Sequence, residues 1–222
     1  FDLSTSIPYT VTGCTSAHLA AMPANTTGVG VTVTLTASSA CPNPSPQYEF
    51  WTLAPGASSW TMAQAYSTTN TFGWSTTGKA PGGWQLAVWV RDASSAGAYS
   101  ISLGTFDLSV SIPYSVTTCT AVSLSAMPAS TAGVGTTVTV TAGATGCPNP
   151  SPQFQFWILA PGAGWTVVQA YSTSNTFSWS TTGKAAGSYY VAVWVRDASS
   201  GGTFSNGAGS WDLFGNIPYS LT

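Results

Sequence analysis

The sequence predicts an all-β protein built from two successive copies of one unit. The segments FDLSTSIPYTVT, FDLSVSIPYSVT and WDLFGNIPYSLT begin at residues 1, 106 and 211, so one pattern recurs every 105 residues. A unit of that length matches the usual size of a domain with its own core. Apolar and polar residues alternate along most of the chain, and no stretch keeps a helical period.

Each unit contains about seven segments with strand character. In VGVTVTLTA, for example, Val29, Val31, Val33 and Leu35 share one face, which predicts a half-buried antiparallel strand. Segments rich in Pro, Gly, Ser and Asn separate the strands. Seven strands at this spacing predict a sandwich of two sheets. The segments of the first unit are TSAHLAA (15–21), VGVTVTLTA (29–37), QYEFWTL (47–53), WTMAQAY (60–66), NTFGWS (70–75), WQLAVWVR (84–91) and a copy of the FDLS segment.

The four cysteines predict one disulfide in each unit. Cys14 pairs with Cys41 and Cys119 with Cys147, because each unit carries two cysteines at nearly equal spacing and none is left over. A zinc site is the competing interpretation, but two thiols with no recurring histidine leave the metal short of ligands. Disulfides indicate an oxidising compartment, so we expect an extracellular or cell-surface location.

Three motifs carry a resemblance to a known family. PQYEFW, WQLAVWVRDA and FDLSVSIPYSVT follow one another in the first unit with a Gly-rich turn between the first two, and variants of the three follow in the same order in the second unit. This order resembles the tandem immunoglobulin-like or fibronectin-III-like repeats of secreted and surface proteins of bacteria, in which the three motifs would be strands C, F and G. The resemblance covers both units and implies two immunoglobulin-like sandwiches. The cysteines differ from antibody domains, where the bridge joins strands B and F.

The same resemblance predicts domains at 13–117 and 118–222. Residues 1–12 would then be the closing strand of a preceding repeat, or a strand donated to another subunit. In the alternative register, they open the first domain and 211–222 is the surplus segment. Either way one strand is in excess, and its unpaired backbone favours pairing with another copy. The candidate strand-pairing residues are Phe1, Leu3, Ile7, Tyr9 and Val11.

Composition restricts the partners. Four basic residues against six acidic ones cannot provide the basic surface that nucleic acid requires. No apolar run approaches the length of a membrane span. Only 5% of the residues are charged, so a neutral surface rich in Thr and Ser is expected. Such a surface favours association with copies of itself or with adjacent repeats of a longer chain. Asn25 begins an Asn-Thr-Thr glycosylation sequon.

The sequence offers little for catalysis, and we expect a protein that is not an enzyme and has no cofactor. His18 is the only histidine, and Ser123 replaces it in the second unit. Asp92 and Asp107 recur in both units and allow two interpretations. Asp92 and Asp107 would bind calcium together at a domain junction, or Arg91 with Asp92, and Arg196 with Asp197, would form ion pairs or turn contacts at the end of strand F. Lys79 and Lys184 lie in TTGKA turns and are expected to be solvated there rather than to form isopeptide bonds.

Each unit contains more aromatic residues than the core between its two sheets is expected to bury. Strands C and F each place large residues on both faces, so Trp51 and Trp89 are expected side by side, with Arg91 over their rings. Trp157, Trp194 and Arg196 repeat the arrangement. Either these tryptophans face the core, or they form an interface or a stacking platform for sugars.

These patterns favour a structural protein over the alternatives. Tandem immunoglobulin-like domains with almost no linker would form a rigid stalk, a surface layer or a filament. The alternative is an adhesin or a carbohydrate-binding module, with glycans as partners and surface Trp and Tyr as its binding residues.

Overall fold

The computed structural model describes residues 5–7 and 12–222, and all regular structure in this part of the chain is β-strand. No helix long and apolar enough for a membrane span occurs among these residues. Strands of the first repeat are β1 (Ser16–Met22), β2 (Thr26–Gly28), β3 (Thr32–Ala40), β4 (Gln47–Leu53), β5 (Thr61–Ser67), β6 (Thr71–Ser75), β7 (Gly82–Arg91), β8 (Tyr99–Ile101), β9 (Gly104–Phe106) and β10 (Leu108–Thr117). Strands of the second repeat are β11 (Ala121–Met127), β12 (Thr131–Ala132), β13 (Thr137–Thr145), β14 (Gln153–Leu159), β15 (Trp165–Ser172), β16 (Thr176–Ser180), β17 (Gly187–Arg196), β18 (Phe204–Asn206), β19 (Gly209–Trp211) and β20 (Leu213–Leu221).

Each repeat contains one three-stranded sheet and one five-stranded sheet. In the first repeat the orders are β1-β3-β6 and β2-β10-β7-β4-β5, and the second repeat has the same two orders with its own strands. In immunoglobulin lettering these are A-B-E and A′-G-F-C-C′, the division found in immunoglobulin-type sandwiches. The predicted fold class, two all-β immunoglobulin-like domains, is therefore confirmed.

Strand A is divided between the two sheets of each repeat. β1 pairs antiparallel with β3, whereas β2 pairs parallel with the end of β10. A cis Met22–Pro23 peptide bond and Asn25, at a φ of 64°, lie between them, where the chain changes sheets. The second repeat has the same features at Met127–Pro128 and at Ser130.

The core between the sheets consists of the inward faces predicted from the alternation. Val33 and Leu35 of β3 and Phe50 of β4 are fully buried. Trp74 of β6 packs edge-on against Tyr114 of β10, with ring centroids 5.8 Å apart. The Tyr114 hydroxyl donates a hydrogen bond to the Pro23 carbonyl at 2.9 Å. The core side chains therefore also hold the loop in which strand A changes sheets.

Both predicted disulfides are present, Cys14–Cys41 and Cys119–Cys147. In the first repeat, Cys14 precedes β1 and Cys41 directly follows β3, and Ser16 pairs with Ala40 beside the bridge. In the second repeat, Cys119 precedes β11 and Cys147 follows the end of β13. The bridge closes one end of the A–B pair and does not link the two sheets, so the contact between the sheets rests on packing.

The start of strand B differs from the prediction. Gly30 has a φ of 86°, in the left-handed region that favours glycine, and it turns the chain before β3 begins at Thr32. Val29 is buried, but Val31 is exposed and does not share its face. The four residues Val29, Val31, Val33 and Leu35 therefore do not form one continuous strand face.

Three short strands of each repeat lie outside the predicted seven. β2 borders the five-stranded sheet, and β8 and β9 form a separate hairpin between strands F and G. The chain divides into two compact units, and the second of them contains Thr26–Thr32, Ser75–Gly83 and Ser115–Thr222. The domain limits at 13–117 and 118–222 remain a prediction.

Removing one disulfide is expected to destabilise only its own repeat. The Cys14–Cys41 bridge closes a separation of 27 residues, so the Cys14→Ser/Cys41→Ser double variant should lose about 3.5 kcal/mol of unfolding free energy on the chain-entropy account. Urea denaturation followed by NMR resonances of each repeat measures this loss. The Cys119→Ser/Cys147→Ser variant, with a separation of 28 residues, should lose the same amount in the second repeat. Equal losses of unfolding free energy in both repeats from either variant would contradict the expectation that each disulfide stabilises only its own repeat.

Candidate functional site

The recurring acid of the FDL segment lies at the centre of a hydrogen-bond network. Asp107 precedes β10 and is buried. Its Oδ2 accepts hydrogen bonds from the backbone N–H groups of Asp92 at 2.8 Å and Cys14 at 3.2 Å. Its Oδ1 accepts from the Ser95 hydroxyl at 2.6 Å and from Ala98 N–H at 3.0 Å. One carboxylate thus ties the start of strand A to the end of strand F and to the loop before the β8–β9 hairpin.

The second repeat reproduces this network around Asp212. The backbone N–H of Asp197 and the hydroxyl of Ser200 donate to its carboxylate at 2.8 and 2.7 Å. Thr203 N–H donates at 3.1 Å, and the Thr118 hydroxyl makes a further short hydrogen bond. The recurrence of the acid in the sequence therefore reflects a structural role.

Asp92 and Asp197 make turn contacts, the second of the two interpretations offered by the sequence. Asp92 accepts hydrogen bonds from Asn43 N–H at 2.6 Å and Ser94 N–H at 2.9 Å, and Asp197 does the same with Asn149 and Ser199. A calcium ion needs six to eight oxygen ligands, whereas these carboxylates already accept backbone N–H groups. Within the described residues no three His, Cys, Asp or Glu side chains are grouped as metal ligands.

Two carboxyls of the first repeat have pKa values shifted in opposite directions. Burial of Asp107 works against its charge, but the donated hydrogen bonds outweigh that cost, so the pKa of Asp107 is lowered. Burial raises the pKa of Glu49, and the hydrogen bond from Trp51 and the charge of Arg91 offset it only in part. Folding therefore favours the charged form of Asp107 and disfavours the charged form of Glu49.

The predicted pair of tryptophans is present on the outer face of the five-stranded sheet of the first repeat. The Trp51 and Trp89 rings lie 4.6 Å apart, and Phe106 of β9 lies 4.6 Å from Trp89. Trp60 and Tyr66 pack against the same group. We call these five rings the outer aromatic cluster.

The outer aromatic cluster is covered by its own chain. Trp51 is 3% exposed and Trp89 is 7% exposed. The structure thus differs from the prediction of an open platform at these two tryptophans, because the β8–β9 hairpin brings Phe106 over the sheet. Neither do they face the core between the sheets, which Phe50 occupies from the other side of β4.

The predicted position of the arginines is wrong. The Arg91 guanidinium lies over the ring of Tyr66 at 4.0 Å, and not over a tryptophan, because Arg91 Nε donates to Gln47 Oε1 at 2.7 Å and is held at the end of the strand. Arg196 lies over Tyr171 at 4.2 Å in the same way. The Tyr66 hydroxyl donates to the Thr105 carbonyl at 2.8 Å, which connects this pair to the hairpin. Burial raises the pKa of Tyr66, so the phenol keeps its proton.

The equivalent cluster of the second repeat is more open. Trp157 and Trp194 lie 4.5 Å apart, and Trp194 stacks on Trp211 at 4.1 Å. A cavity of about 480 Å³ opens beside these rings, compared with about 240 Å³ beside the cluster of the first repeat. Trp157 is buried, whereas Trp194 is half-buried. The two copies of one scaffold therefore present different outer faces.

The remaining predicted residues lie apart from these clusters. His18 is exposed on β1, and Asn25 is exposed in the loop before β2. Lys184 is exposed before β17, as expected, whereas Lys79 is half-buried before β7. Ile7 is 90% exposed. The other strand-pairing candidates, Phe1, Leu3, Tyr9 and Val11, lie outside the described residues.

Sequence reasoning missed the β8–β9 hairpin and the function of Asp107. The loop DASSAGA (92–98) is followed by YSISLGTF (99–106), in which the apolar residues Tyr99, Ile101 and Leu103 alternate with polar ones before Phe106. That alternation is the signal that would have indicated a hairpin with an aromatic face.

Comparisons with known proteins concern the fold alone. No protein-family model matches the chain, and no curated protein matches it. Solved structures that resemble it include two chains described as marsupial T cell receptor, with TM-scores of 0.32 and 0.33 and identities of 14% and 13%. Each match covers 93% of this chain and 73% of the other chain. Similarity at this level carries no argument about function, so the assignment of the fold rests on the strand order.

The Asp107 network is expected to lose strength in acid. The pKa of Asp107 is lower in the folded state than in the unfolded state. Its contribution to the free energy of unfolding is therefore complete above the unfolded-state pKa of about 3.9, and it is lost as the pH falls through the folded-state pKa. Asp107→Asn should lower the unfolding free energy of the first repeat by about 2–3 kcal/mol at pH 7 and reduce its acid dependence. Urea denaturation monitored by NMR measures both effects.

Glu49→Gln is the matched control, because it makes the same change of carboxyl to amide and reproduces Gln155 of the second repeat. The pKa of Glu49 is raised in the folded state. Its contribution to the free energy of unfolding is therefore present in acid and is lost as the pH rises through the folded-state pKa. Removal of the buried charge offsets the weaker hydrogen bond to Trp51, so this variant should lose much less unfolding free energy at pH 7 than Asp107→Asn. An equal loss in both variants would contradict a special role for Asp107.

Proposed function

We propose that this chain is a non-catalytic extracellular protein whose immunoglobulin-like repeats serve as building units of a stalk, a surface layer or a filament. The observation that carries the proposal is the accurate repetition of the scaffold. Both repeats share the strand order, the disulfide and the buried aspartate network. Repetition of structural parts without repetition of reactive ones suits a protein whose function is mechanical or spatial.

The neutral polar surface supports assembly. Thr32, Thr34 and Thr36 all point outward from β3, and Thr137, Thr139 and Thr141 do so from β13. Four basic and six acidic residues leave little charge to keep copies apart. Surfaces of this kind associate with little like-charge repulsion.

The short connection between repeats supports a stiff array. Only Thr118 separates the end of β10 at Thr117 from Cys119, the first cysteine of the next bridge. A one-residue connection limits independent motion of the units it joins. The disulfides support a location in an oxidising compartment outside the cell.

Pairing through residues 1–12 is the proposed route of assembly. Ile7 is an exposed aliphatic residue in a segment that copies strand G. A surplus strand offers backbone donors and acceptors to a partner sheet, and its apolar side chains would be buried there. The partner is a second copy of this chain or an adjacent repeat.

A second candidate function, adhesion or carbohydrate binding, is supported by the open cavity beside Trp157 and Trp194. It is compatible with assembly, because an array can display a binding site.

Self-association through residues 1–12 is expected to be sensitive to a charge at Ile7. Sedimentation velocity over a concentration series should show oligomers for the unaltered chain, and electron microscopy should show regular assemblies. Ile7→Asp should shift the distribution toward monomers, because a carboxylate in a newly buried strand is costly. Ser6→Asp adds the same charge at the exposed neighbouring position and should weaken assembly less. Monomers at every concentration would contradict the proposed assembly.

A further inference from the structure

The cavity of the second repeat combines aromatic walls with polar groups. Five rings line it, those of Trp157, Trp165, Trp194, Trp211 and Phe214. The amides of Asn206 and Asn216 lie at the same cavity. A volume of about 480 Å³, aromatic walls and a few polar groups are typical of small-molecule sites.

Differences at the hairpin tip account for the larger cavity. In the first repeat, Ile101 and Leu103 line the cavity and reduce it to about 240 Å³. The second repeat has Asn206 and Ala208 at the matching positions. Two branched aliphatic side chains are thus replaced by an amide and a methyl group, which leaves space above the stacked indoles and adds hydrogen-bonding capacity.

The rim of the cavity carries exposed rings. Trp165 is 45% exposed and Phe214 is 59% exposed. The first repeat has a half-buried Trp60 at the position of Trp165 and a serine, Ser109, at the position of Phe214. Exposed aromatic residues grouped around a concave site mark a binding surface.

Indole N–H groups of the second cluster lack acceptors. In the first repeat Trp51 Nε1 donates to Glu49 Oε2 at 3.1 Å. In the second repeat Trp157 Nε1 and Trp211 Nε1 have no hydrogen-bond partner in the described part of the chain. Both nitrogens are enclosed, and the side-chain oxygen of Gln155, which replaces Glu49 in this repeat, also has no partner among the described residues. The hydrogen-bonding groups that a ligand in the cavity can reach are therefore the exposed amides of Asn206 and Asn216.

The lining indicates a neutral ligand with an apolar face and hydroxyl groups. None of the described residues at the cavity is charged. Asn side chains both donate and accept hydrogen bonds, and so do hydroxyl groups. Flat indole faces suit the apolar face of a sugar ring. A proline-rich peptide also docks on aromatic grooves, but its proline residues offer acceptors only and would leave the amide carbonyls unpaired.

We propose that the outer face of the second repeat, at Trp165, Trp194 and Phe214, binds a neutral sugar ring, with Asn206 and Asn216 as hydrogen-bonding groups. Ile101 and Leu103 of the β8–β9 hairpin narrow the equivalent face of the first repeat. Binding at this site does not depend on assembly of the chain, so either proposal can fail without the other.

A set of neutral tetrasaccharides of glucose, mannose, galactose and N-acetylglucosamine tests the proposal on the full chain. Saturation-transfer NMR identifies the sugars that bind, and calorimetry measures their affinity. Trp165→Ala and Phe214→Ser should each weaken binding about tenfold, because each removes one exposed ring. The double change Asn206→Ile/Ala208→Leu copies the first repeat and should abolish binding by filling the cavity.

Trp60→Ala is the matched control, since it removes the equivalent ring of the first repeat and should leave affinity unchanged. Unaltered NMR spectra of the free variants establish that each one folds. The proposal is overturned if no tetrasaccharide binds, if Trp60→Ala weakens binding as much as Trp165→Ala, or if only a proline-rich decapeptide binds at this face.

Discussion

A buried aspartate at the beginning of strand G organises each repeat. Asp107 and Asp212 each accept hydrogen bonds from the end of strand F, from the loop before the hairpin and, more than 90 residues away in sequence, from the start of strand A. A buried carboxylate persists only when such donors satisfy it. The hydrogen bonds of Asp107 to Ser95 and Ala98 position the loop before the hairpin, and the Tyr66–Thr105 hydrogen bond holds the hairpin itself over the outer aromatic cluster.

Strands C and F carry large side chains on both faces, and the structure provides a separate cover for each. The three-stranded sheet covers Phe50 and its neighbours, whereas the hairpin and strand C′ cover Trp51 and Trp89. The inner core is nearly the same in both repeats. The outer cluster differs between them, because its cover is a short hairpin whose tip residues change without disturbing the sandwich. Function is therefore free to vary at the hairpin while the fold is maintained.

Sequence reasoning succeeded where local pattern determines structure. The span 47–53 of strand C was predicted to the residue, and counting cysteines was sufficient to pair them. It failed where a distant part of the chain decides the outcome. The placement of Arg91 depends on Gln47, and the burial of Trp89 depends on a hairpin that the period-2 pattern alone did not reveal. Alternation shows that a face is apolar, but it does not show which segment covers it.

The placement of the disulfide has a mechanical consequence for a chain under tension. A force applied along the backbone passes directly from Cys14 to Cys41 through the sulfur bond, so the 27-residue separation that contains β1, β2 and β3 is not stretched. Unravelling of the rest of the repeat then releases about 90 Å less contour length than the full unit contains. The disulfide would therefore limit the length to which each repeat extends under force.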